Sequence, residues 1–450
     1  MQRFLIAGTN SGCGKTTVTC AVIAALRQRN VPVAAFKCGP DYIDPMFHRE
    51  ILGTPSYNLD SFFCSQEGLR RNLIQHTKED QCAVIEGVMG FYDGNDSSAY
   101  MISEWTETPA ILVIDCKGMK ESIGAVMQGY LTYRTPNRIA GFIFNRLPQS
   151  LVPFVKTLCR ETGTRFFGSL PQHSHVFASR HLGLVTATEQ ENLQETMLQL
   201  GRLAEESLCI DEMLAIQSAP IKATLPSQQK TEGSPAIAVA KDEAFCFLYA
   251  ENIELLESLG CKIRYFSPLA DSQVPQAEAL LLCGGYPELY AKELCENCAM
   301  LSDVRRKIEN GMPYIAECGG FMYLHETLKT ESGMEYPMAG IIKGTSFPAG
   351  KLRRFGYITM HAKRDNLLCN QGETIQAHEF HYWDSTACGD GYTAVKPDGR
   401  TWECGHVSAH SYAGFPHLYF PSDPRIAERF KAAAVQYGGT NEPNQSNTAD

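Results

Sequence analysis

The sequence has no apolar run long enough to span a bilayer, and its N-terminus lacks the basic, apolar and small-residue segments of a secretory signal. It also has no excess of basic residues, since 50 Asp and Glu outnumber 40 Lys and Arg and give a net charge of −10 at pH 7. These features argue against a membrane protein, a secreted protein and a protein whose main partner is nucleic acid. We therefore expect a cytoplasmic protein that acts on small molecules.

The 17 cysteines are spread along the chain and show no disulfide framework, so we expect reduced thiols. Cys295 and Cys298 have the internal spacing of a zinc site, yet no second Cys or His pair lies at the matching distance. His378 and His381 depart from the His-Glu-x-x-His pattern and lie among aromatic residues that favour a strand. The sequence therefore predicts no zinc site.

Strand-like and helical patterns alternate along both halves of the 450-residue chain, a length that suggests two or three domains. This alternation predicts α/β domains with doubly wound, mostly parallel sheets that bind ligands at the carboxyl ends of their strands. Strands are predicted in the first half at 4–7, 33–37, 82–86, 110–115 and 140–145. From composition we predict a first domain at 1–216, a linker at 217–234, a second domain at 235–432 and a polar, disordered tail at 433–450.

The first predicted strand leads into the segment Gly8-Thr-Asn-Ser-Gly-Cys-Gly-Lys-Thr-Thr17, which opens a helix. This is the context of a phosphate-binding loop (P-loop), in which glycines let backbone N–H groups converge on phosphate oxygens. Lys15 would neutralise the outer phosphates, and the Thr16 hydroxyl would bind Mg²⁺. We therefore predict that the domain binds ATP and Mg²⁺. The predicted ATP contacts are Thr9, Asn10, Gly12, Gly14, Lys15, Thr16 and Thr17.

Polar residues follow three other predicted strands. Because the carboxyl ends of parallel strands meet at one edge of a sheet, the acidic residues there predict a site for Mg²⁺ or for substrate. Its members, besides Thr16, are Asp41, Tyr42 and Asp44 after the second strand and Glu86 and Asp93 at and after the third. Asn145 ends the fifth strand, and we assign it to the adenine edge of ATP.

The segment Ile315-Ala-Glu-Cys-Gly-Gly-Phe321 places Cys318 between a predicted strand and a helix. Small flanking residues and this position predict a nucleophile elbow with a thiol in place of a hydroxyl. We expect the following helix N-terminus to lower the pKa of the Cys318 thiol. A cysteine nucleophile also needs a histidine base, and spacing alone does not choose one. The candidates are His378, His381, His406, His410 and His417.

Taken together, these motifs resemble the cobyrinic acid a,c-diamide synthase family over nearly the whole chain, from the P-loop to about residue 430. The matching segments are 36–45, 85–94, 238–245, 284–290, 316–322 and 378–382. The resemblance implies a P-loop synthetase domain of the dethiobiotin-synthetase type, followed by a class I glutamine amidotransferase domain. It also implies an ATP-dependent ligase of cobalamin biosynthesis that takes ammonia from L-glutamine and amidates the a- and c-side-chain carboxylates of cobyrinate.

The resemblance assigns roles in the second domain. The segment Phe415-Pro-His-Leu-Tyr-Phe420 matches the family segment that carries the base, which implies His417, and the oxyanion loop corresponds to Gly284 and Gly285. Class I glutaminases usually have Glu two residues after the base. Here that residue is Tyr419, so a Cys–His pair is expected. The family also allows a homodimer.

Two alternatives remain open. The motifs do not report the central metal, so the substrate could be a related tetrapyrrole such as hydrogenobyrinic acid or nickel-sirohydrochlorin. From a different class, the chain could be a P-loop switch ATPase whose second domain is not catalytic. Asn10, at a position where such ATPases carry lysine, and the Cys318 segment argue against this second reading.

Overall fold

The computed structural model describes residues 1–94, 97–172, 179–180, 183–184, 190, 192–224 and 233–441. The chain divides into two compact units, Met1–Pro226 and Ser227–Asp450. Among the described residues, no helix is both long enough and apolar enough to cross a membrane.

The first unit is built on a seven-stranded, wholly parallel sheet in the order β3-β2-β4-β1-β5-β6-β7. The apolar residues at 4–7 in the central strand are fully buried, as expected for a strand covered on both faces. The strands of this unit, including a separate two-stranded pair β8-β9, are β1 Gln2–Gly8, β2 Val33–Cys38, β3 Ser56–Leu59, β4 Cys82–Gly90, β5 Ala110–Asp115, β6 Ile139–Asn145, β7 Arg165–Leu170, β8 Ser179–Arg180 and β9 Gly183–Leu184.

Helices connect most of the parallel strands of the first unit, because a parallel pair needs a crossover connection. The helices are α1 Lys15–Gln28, α2 Ile43–Leu52, α3 Gln66–Gln75, α4 Ala99–Trp105, α5 Ser122–Tyr133, α6 Val152–Glu161, α7 Leu193–Ser207 and α8 Ile210–Leu214. The predicted doubly wound α/β fold is confirmed. The five predicted strands are all present, whereas β3, β7, β8 and β9 were not predicted.

The second unit contains two sheets. One has the order β11-β10-β12-β13-β21-β20 and is parallel except at β20; the other contains β14 to β19 and β22 and is mixed. The strands are β10 Ala236–Ala240, β11 Lys262–Phe266, β12 Ala279–Leu282, β13 Tyr314–Glu317, β14 His325–Lys329, β15 Glu335–Pro337, β16 Ile342–Ala362, β17 Thr374–Ser385, β18 Tyr392–Val395, β19 Thr401–Cys404, β20 His406–Ser408, β21 Ser411–Gly414 and β22 His417–Leu418.

The helices of the second unit follow the predicted alternation up to β13. Gly260 and Gly311, which directly follow the C-cap residues of two helices, have φ angles of 90° and 86°, a backbone conformation that favours glycine. The helices are α9 Ala250–Ser258, α10 Ala291–Glu296, α11 Cys298–Glu309, α12 Gly319–Tyr323 and α13 Arg425–Asn441.

The segment ends differ from the boundaries drawn from composition. The start of the predicted linker packs on the first unit, where the Ser218 hydroxyl donates to the Arg3 carbonyl at 2.7 Å and the Arg3 guanidinium donates to the Ala219 carbonyl at 2.6 Å. Helix α13 continues beyond residue 432, and Ala434 in it is fully buried. The predicted tail therefore begins inside a packed helix, because alanines cover the core there without a strongly apolar signal. Linker residues 225–232 and tail residues 442–450 lie outside the described residues.

Candidate active sites

The P-loop connects the end of β1 to the start of α1. Gly12 and Gly14 have φ angles of 78° and 92°, which non-glycine residues rarely adopt. A Cβ on Gly8 would lie 2.4 Å from the Cys13 sulfur, so the loop folds back closely on itself. Lys15 is the first residue of α1, where the first backbone N–H groups of a helix have no carbonyl partner within the helix. This is the geometry that a phosphate-binding loop requires.

The other predicted ATP contacts in this segment lie on the same continuous loop and helix start. The Thr9 N–H donates to the Val113 carbonyl at 3.0 Å, and the exposed Asn10 side chain donates to the Ser11 carbonyl at 2.8 Å. Thr16 and Thr17 are half-buried in the first turn of α1. Contact of these residues with ATP stays a prediction.

Beside the P-loop lies a group of five side chains, Thr16, Lys37, Asp44, His48 and Glu86, which we call the carboxylate cluster. The Thr16 hydroxyl lies 2.6 Å from Glu86 Oε1 and 3.3 Å from Asp44 Oδ2. Lys37 Nζ is buried, lies 3.0 Å from Glu86 Oε1 and is also paired with Asp44. The structure therefore brings together Thr16, Asp44 and Glu86 of the predicted acidic site.

His48 completes the cluster. Its Nε2 lies 2.9 Å from Glu86 Oε2 and its Nδ1 lies 3.0 Å from the Ser56 hydroxyl. Burial alone would raise the pKa of Glu86, but Lys37, His48 and Thr16 together hold that pKa well below its usual value. Glu86 is therefore a buried carboxylate that stays ionised.

The remaining predicted members of the acidic site lie at the edge of the carboxylate cluster or outside it. Asp41 Oδ1 accepts from the backbone N–H of Ile43 and of Asp44 at 2.8 and 3.1 Å, so Asp41 closes the first turn of α2. Its other oxygen lies 3.9 Å from Lys37 Nζ. Tyr42 immediately precedes α2 and is half-buried. Asp93 is exposed in the loop after β4, where its Oδ2 accepts from the Gly90 N–H at 3.1 Å.

Asn145, at the end of β6, contacts the P-loop directly. Its Nδ2 donates to the Cys13 carbonyl at 2.9 Å, and a Cβ on Gly14 would lie 2.3 Å from that nitrogen. Its Oδ1 accepts from the Arg146 N–H at 3.0 Å. Asn145 therefore braces the loop, while its predicted contact with adenine is not tested by this geometry.

In the second unit, Cys318 lies between β13 and α12 with φ 45° and ψ −100°. This left-handed φ is rare for a residue other than glycine, and such outliers cluster at functional sites. The Cys318 N–H donates to the Gly414 carbonyl at 2.8 Å, which ties the turn to β21. The predicted sharp strand-to-helix turn is present.

His417 is buried in β22 and lies against the predicted oxyanion loop. A Cβ on Gly284 would lie 2.5 Å from His417 Cε1. A Cβ on Gly319, the residue after Cys318, would lie 2.9 Å from the Gly285 nitrogen. The turn, the glycine loop and His417 therefore meet in one place, as an acyl-transfer site requires.

The other candidate histidines have different partners. His378 is the antiparallel register partner of His417, with ring centroids 6.4 Å apart. Burial lowers the pKa of His378 to about 3, so it is neutral at pH 7. His381 is held by Glu379 at 2.9 Å and by the Trp383 carbonyl at 2.6 Å. His406 contacts the Ala387 carbonyl at 2.8 Å, and His410 is exposed in the turn between β20 and β21.

Two family models match the two units separately. Residues 4–184 match a CobQ/CobB/MinD/ParA nucleotide binding domain, and residues 236–424 match a CobB/CobQ-like glutamine amidotransferase domain. Among curated proteins, the cobyrinate a,c-diamide synthase of Fusobacterium nucleatum is 37% identical over 93% of this chain and 98% of its own length. Those of Listeria innocua and Salmonella typhimurium are 35% and 36% identical over 95% and 96% of this chain, and over 98% of their own length in each case.

The chain belongs to the cobyrinate a,c-diamide synthase family. The resemblance stated from the motifs is confirmed, as are the two fold types, the nucleotide-binding domain and the glutamine amidotransferase domain. This chain therefore combines in one polypeptide a P-loop in the nucleotide-binding domain and a cysteine turn in the amidotransferase domain.

The expectation that the helix after Cys318 lowers the pKa of its thiol is wrong. Burial raises the pKa of the Cys318 thiol well above its usual value, and the nearby Glu288 and Glu379 carboxylates act in the same direction. The N–H of Gly319 opposes them, but α12 has only five residues and its effect is smaller. The resting thiol is therefore protonated, so the turn needs a base to form the thiolate.

Several residues of both sites were missed from the sequence. Lys37 was predicted only as the last residue of a strand, and His48 was not singled out. The fold places both beside Glu86. Arg146 pairs with Asp115 through Nε at 2.7 Å and contacts the Gly12 carbonyl at 3.3 Å. Glu317 precedes the nucleophile and lies 3.6 Å from His417. The visible signal for Lys37 and Arg146 was their position at a strand end.

Proposed function

We propose that this chain amidates the a- and c-side-chain carboxylates of cobyrinate in cobalamin biosynthesis, using ATP and taking ammonia from L-glutamine. The observation that carries the proposal is the presence, in one chain of this family, of a P-loop beside a carboxylate cluster and of a cysteine turn beside His417. The first site suits phosphoryl transfer and the second suits amide hydrolysis.

In the second unit, Cys318 attacks the side-chain amide carbon of glutamine after giving its proton to His417. The oxyanion that forms is stabilised by N–H groups of the Gly284–Gly285 loop. His417 then passes the proton to the leaving ammonia, which leaves a thioester on Cys318. Water, activated by the same imidazole, releases glutamate and restores the thiol.

In the first unit, the P-loop and Lys15 hold the phosphates of ATP while a substrate carboxylate oxygen attacks the γ-phosphorus. ADP leaves, and the carboxylate becomes an acyl phosphate. Ammonia then attacks the acyl carbon and phosphate leaves, so each amide consumes one ATP and one glutamine. Positioning and charge neutralisation are the main tasks of the protein in such a step.

The oxygen atoms beside the P-loop fit Mg²⁺. Carboxylate oxygens of Asp44 and Glu86 lie 3.3 and 2.6 Å from the Thr16 hydroxyl. Mg²⁺ prefers hydroxyl and carboxylate oxygens as ligands. Within the described residues, no group of three or more His, Cys, Asp or Glu is placed to hold a metal alone. A Mg²⁺ ion would therefore be shared with ATP, where it supplies positive charge to the outer phosphates.

The deciding experiment measures products across a panel of tetrapyrrole acids. The purified chain is incubated with Mg²⁺, ATP and glutamine and with cobyrinate, hydrogenobyrinate or nickel-sirohydrochlorin, and mass spectrometry detects each added amide. We expect cobyrinate diamide, and no product when ATP or the nitrogen donor is omitted.

Two other results would each overturn part of the proposed function. Preferred amidation of one of the other two acids would replace cobyrinate as the substrate. ATP hydrolysis without glutamine hydrolysis, and without amidation of any acid, would support the switch ATPase instead.

A further inference from the structure

The residue two positions after His417 is Tyr419, which carries no carboxylate. Tyr419 is buried, and its ring packs edge-on against that of Tyr249 with centroids 5.2 Å apart. The sequence therefore predicted a histidine without an acidic partner. In the structure, however, the residue that precedes the nucleophile places its carboxylate near His417.

That carboxylate belongs to Glu317, the last residue of β13. Its Oε2 lies 3.6 Å from His417 Nδ1, and its Oε1 accepts from the Leu418 N–H at 3.3 Å. The two side chains are 5% and 2% exposed, so water does not screen the pair. At 3.6 Å the contact is an ion pair whenever His417 is protonated, and catalytic contacts are often this long before substrate binds.

Strand pairing explains how Glu317 reaches His417. Glu317 is the register partner of Gly414 in β21, and the chain needs only two more residues to reach His417 in β22. The Cys318 turn starts immediately after Glu317. The carboxylate is therefore placed by the same strand end that places the nucleophile.

Burial and hydrogen bonding act in opposite directions on the Glu317 carboxylate. Burial raises the pKa of Glu317 above its usual value, and His417 and the Leu418 N–H oppose this shift only in part. Among the described residues, the titratable groups that interact with the pair include the thiols of Cys318 and Cys283, the phenol of Tyr412 and the neutral imidazole of His378. His417, 3.6 Å away, is a side chain that can compensate a negative charge on Glu317.

We propose that Glu317 is the positioning residue of the glutaminase site: its carboxylate holds His417 with Nδ1–H towards Glu317, so that Nε2 exchanges protons with Cys318 and with the leaving ammonia. The inference rests on the proposed glutaminase reaction. The carboxylate stabilises the imidazolium that forms when Cys318 loses its proton and is not itself protonated in the step. Glu317 thus takes the role of the acid that class I glutaminases usually carry two residues after the base, where this chain has Tyr419.

The test is the pH profile of glutamine hydrolysis by Glu317→Gln in the full chain. This variant keeps the side-chain length and an oxygen that can accept from Leu418. We expect kcat to fall about 10- to 100-fold, which is less than the roughly 10²- to 10⁴-fold contribution of a general base, because the His417 imidazole itself remains. The acidic limb of kcat/KM should also move to lower pH, because the variant removes a negative charge 3.6 Å from His417 Nδ1. Ammonium-driven amidation should stay at the wild-type level.

Glu251→Gln is the matched control, because Glu251 is also a buried glutamate of the second unit. Its acidic limb should coincide with that of the wild type. If Glu317→Gln matches the wild type in kcat and in its acidic limb, the inference is wrong. If the wild type itself hydrolyses no glutamine, the proposed function fails instead.

Glu317→Asp keeps the inference testable if the Gln variant does not fold, as judged by circular dichroism. We expect a reduced kcat with an acidic limb close to that of the wild type, because the charge remains but its distance grows. A wild-type kcat, or an acidic limb displaced to lower pH, would contradict the positioning role.

Discussion

Lys37 Nζ lies 3.0 Å from Glu86 Oε1, and both side chains are almost completely excluded from solvent. The same ammonium pairs with Asp44, so one buried cation compensates two buried carboxylates. Burial opposes the charge on Lys37, but Asp44 and Glu86 raise its pKa well above the usual value. The cluster therefore depends on Lys37 for its charge balance.

We expect Lys37→Met to lower the free energy of unfolding by about 3 to 5 kcal/mol, because it leaves two buried carboxylates without their cation. Urea unfolding followed by circular dichroism measures this change. Lys292→Met is the control, since Lys292 is exposed and its pair with Glu296 should contribute about 1 kcal/mol or less. Equal stability of the two variants would argue against the electrostatic role of Lys37.

Lys15→Ala should abolish amidation driven by glutamine and amidation driven by ammonium. A phosphate clamp stabilises charge in the transition state, and no supply of ammonia replaces it. Both rates are measured by mass detection of the amide, and we expect losses of about 10²-fold or more. Lys120→Ala, at an exposed position, should leave both rates unchanged. Survival of the ammonium-driven rate in Lys15→Ala would place the phosphates elsewhere.

Cys318→Ala should abolish glutamine-dependent amidation and keep amidation from high ammonium, because only the source of ammonia needs the thiol. Comparing the two nitrogen donors under otherwise equal conditions measures this split. Cys298→Ala removes a thiol that is exposed in α11 and should behave as the wild type. Loss of both activities in a folded Cys318→Ala protein would mean that the two reactions share a site.

Gly284→Ala should reproduce that split without removing any reactive atom. The added Cβ would lie 2.5 Å from His417 Cε1, a distance that forces the imidazole or the loop to move. We expect glutamine hydrolysis to fall about 10²-fold, as for a misplaced catalytic group. In Gly439→Ala the added Cβ meets nothing within 4 Å, so glutamine hydrolysis should be normal. Wild-type hydrolysis by Gly284→Ala would show that this contact is not part of the site.

Because of His325, the free energy of unfolding should decrease as the pH falls below 7. It is fully buried between the Phe321 carbonyl at 2.9 Å and the Ser385 hydroxyl at 2.6 Å, and burial lowers its pKa to about 4. Below an ordinary histidine pKa of about 6.5, the unfolded chain binds a proton that the folded chain does not. The contribution of neutral His325 is therefore complete above that value and is lost as the pH falls towards 4.

Between pH 7 and pH 5, the free energy of unfolding of the wild type should fall by about 2 kcal/mol more than that of His325→Gln. Urea unfolding at the two pH values measures the difference. His410→Gln, at an exposed position, should show the wild-type dependence on pH. Parallel behaviour of His325→Gln and the wild type would mean that His325 does not remain neutral in the folded chain.

Local pattern was sufficient to predict much of the fold. The strands of the parallel sheets are continuous apolar segments with glycine and polar residues at their ends, and this signal depends on neighbours in the sequence. β3 and β7 were missed because they are short or contain polar residues, such as Asn58 in β3, that give no apolar run. The sheet that contains β16 and β17 was also missed, since long-range antiparallel pairing decides it.

In the candidate sites, too, residues that belong to local motifs were predicted, and residues that meet only through long-range contacts were not. Lys15, Thr16 and Cys318 were identified because a P-loop and a nucleophile turn are local backbone geometries that need particular residues at fixed spacings. The choice of His417 came from the family resemblance and not from spacing. Its contact with Gly284 is visible only in the folded chain, because the two residues lie far apart in the sequence.

By itself, the sequence determined the α/β class, the P-loop, the cysteine turn and the family. The P-loop and the cysteine turn each depend on one short segment, and the family depends on many matching segments in the same order. Only the tertiary structure decided which charges meet. It buried Lys37 between Asp44 and Glu86, turned Glu317 towards His417 and raised the pKa of the Cys318 thiol. The physical reason is that burial and electrostatic interactions depend on distances between elements, and a linear sequence does not contain those distances.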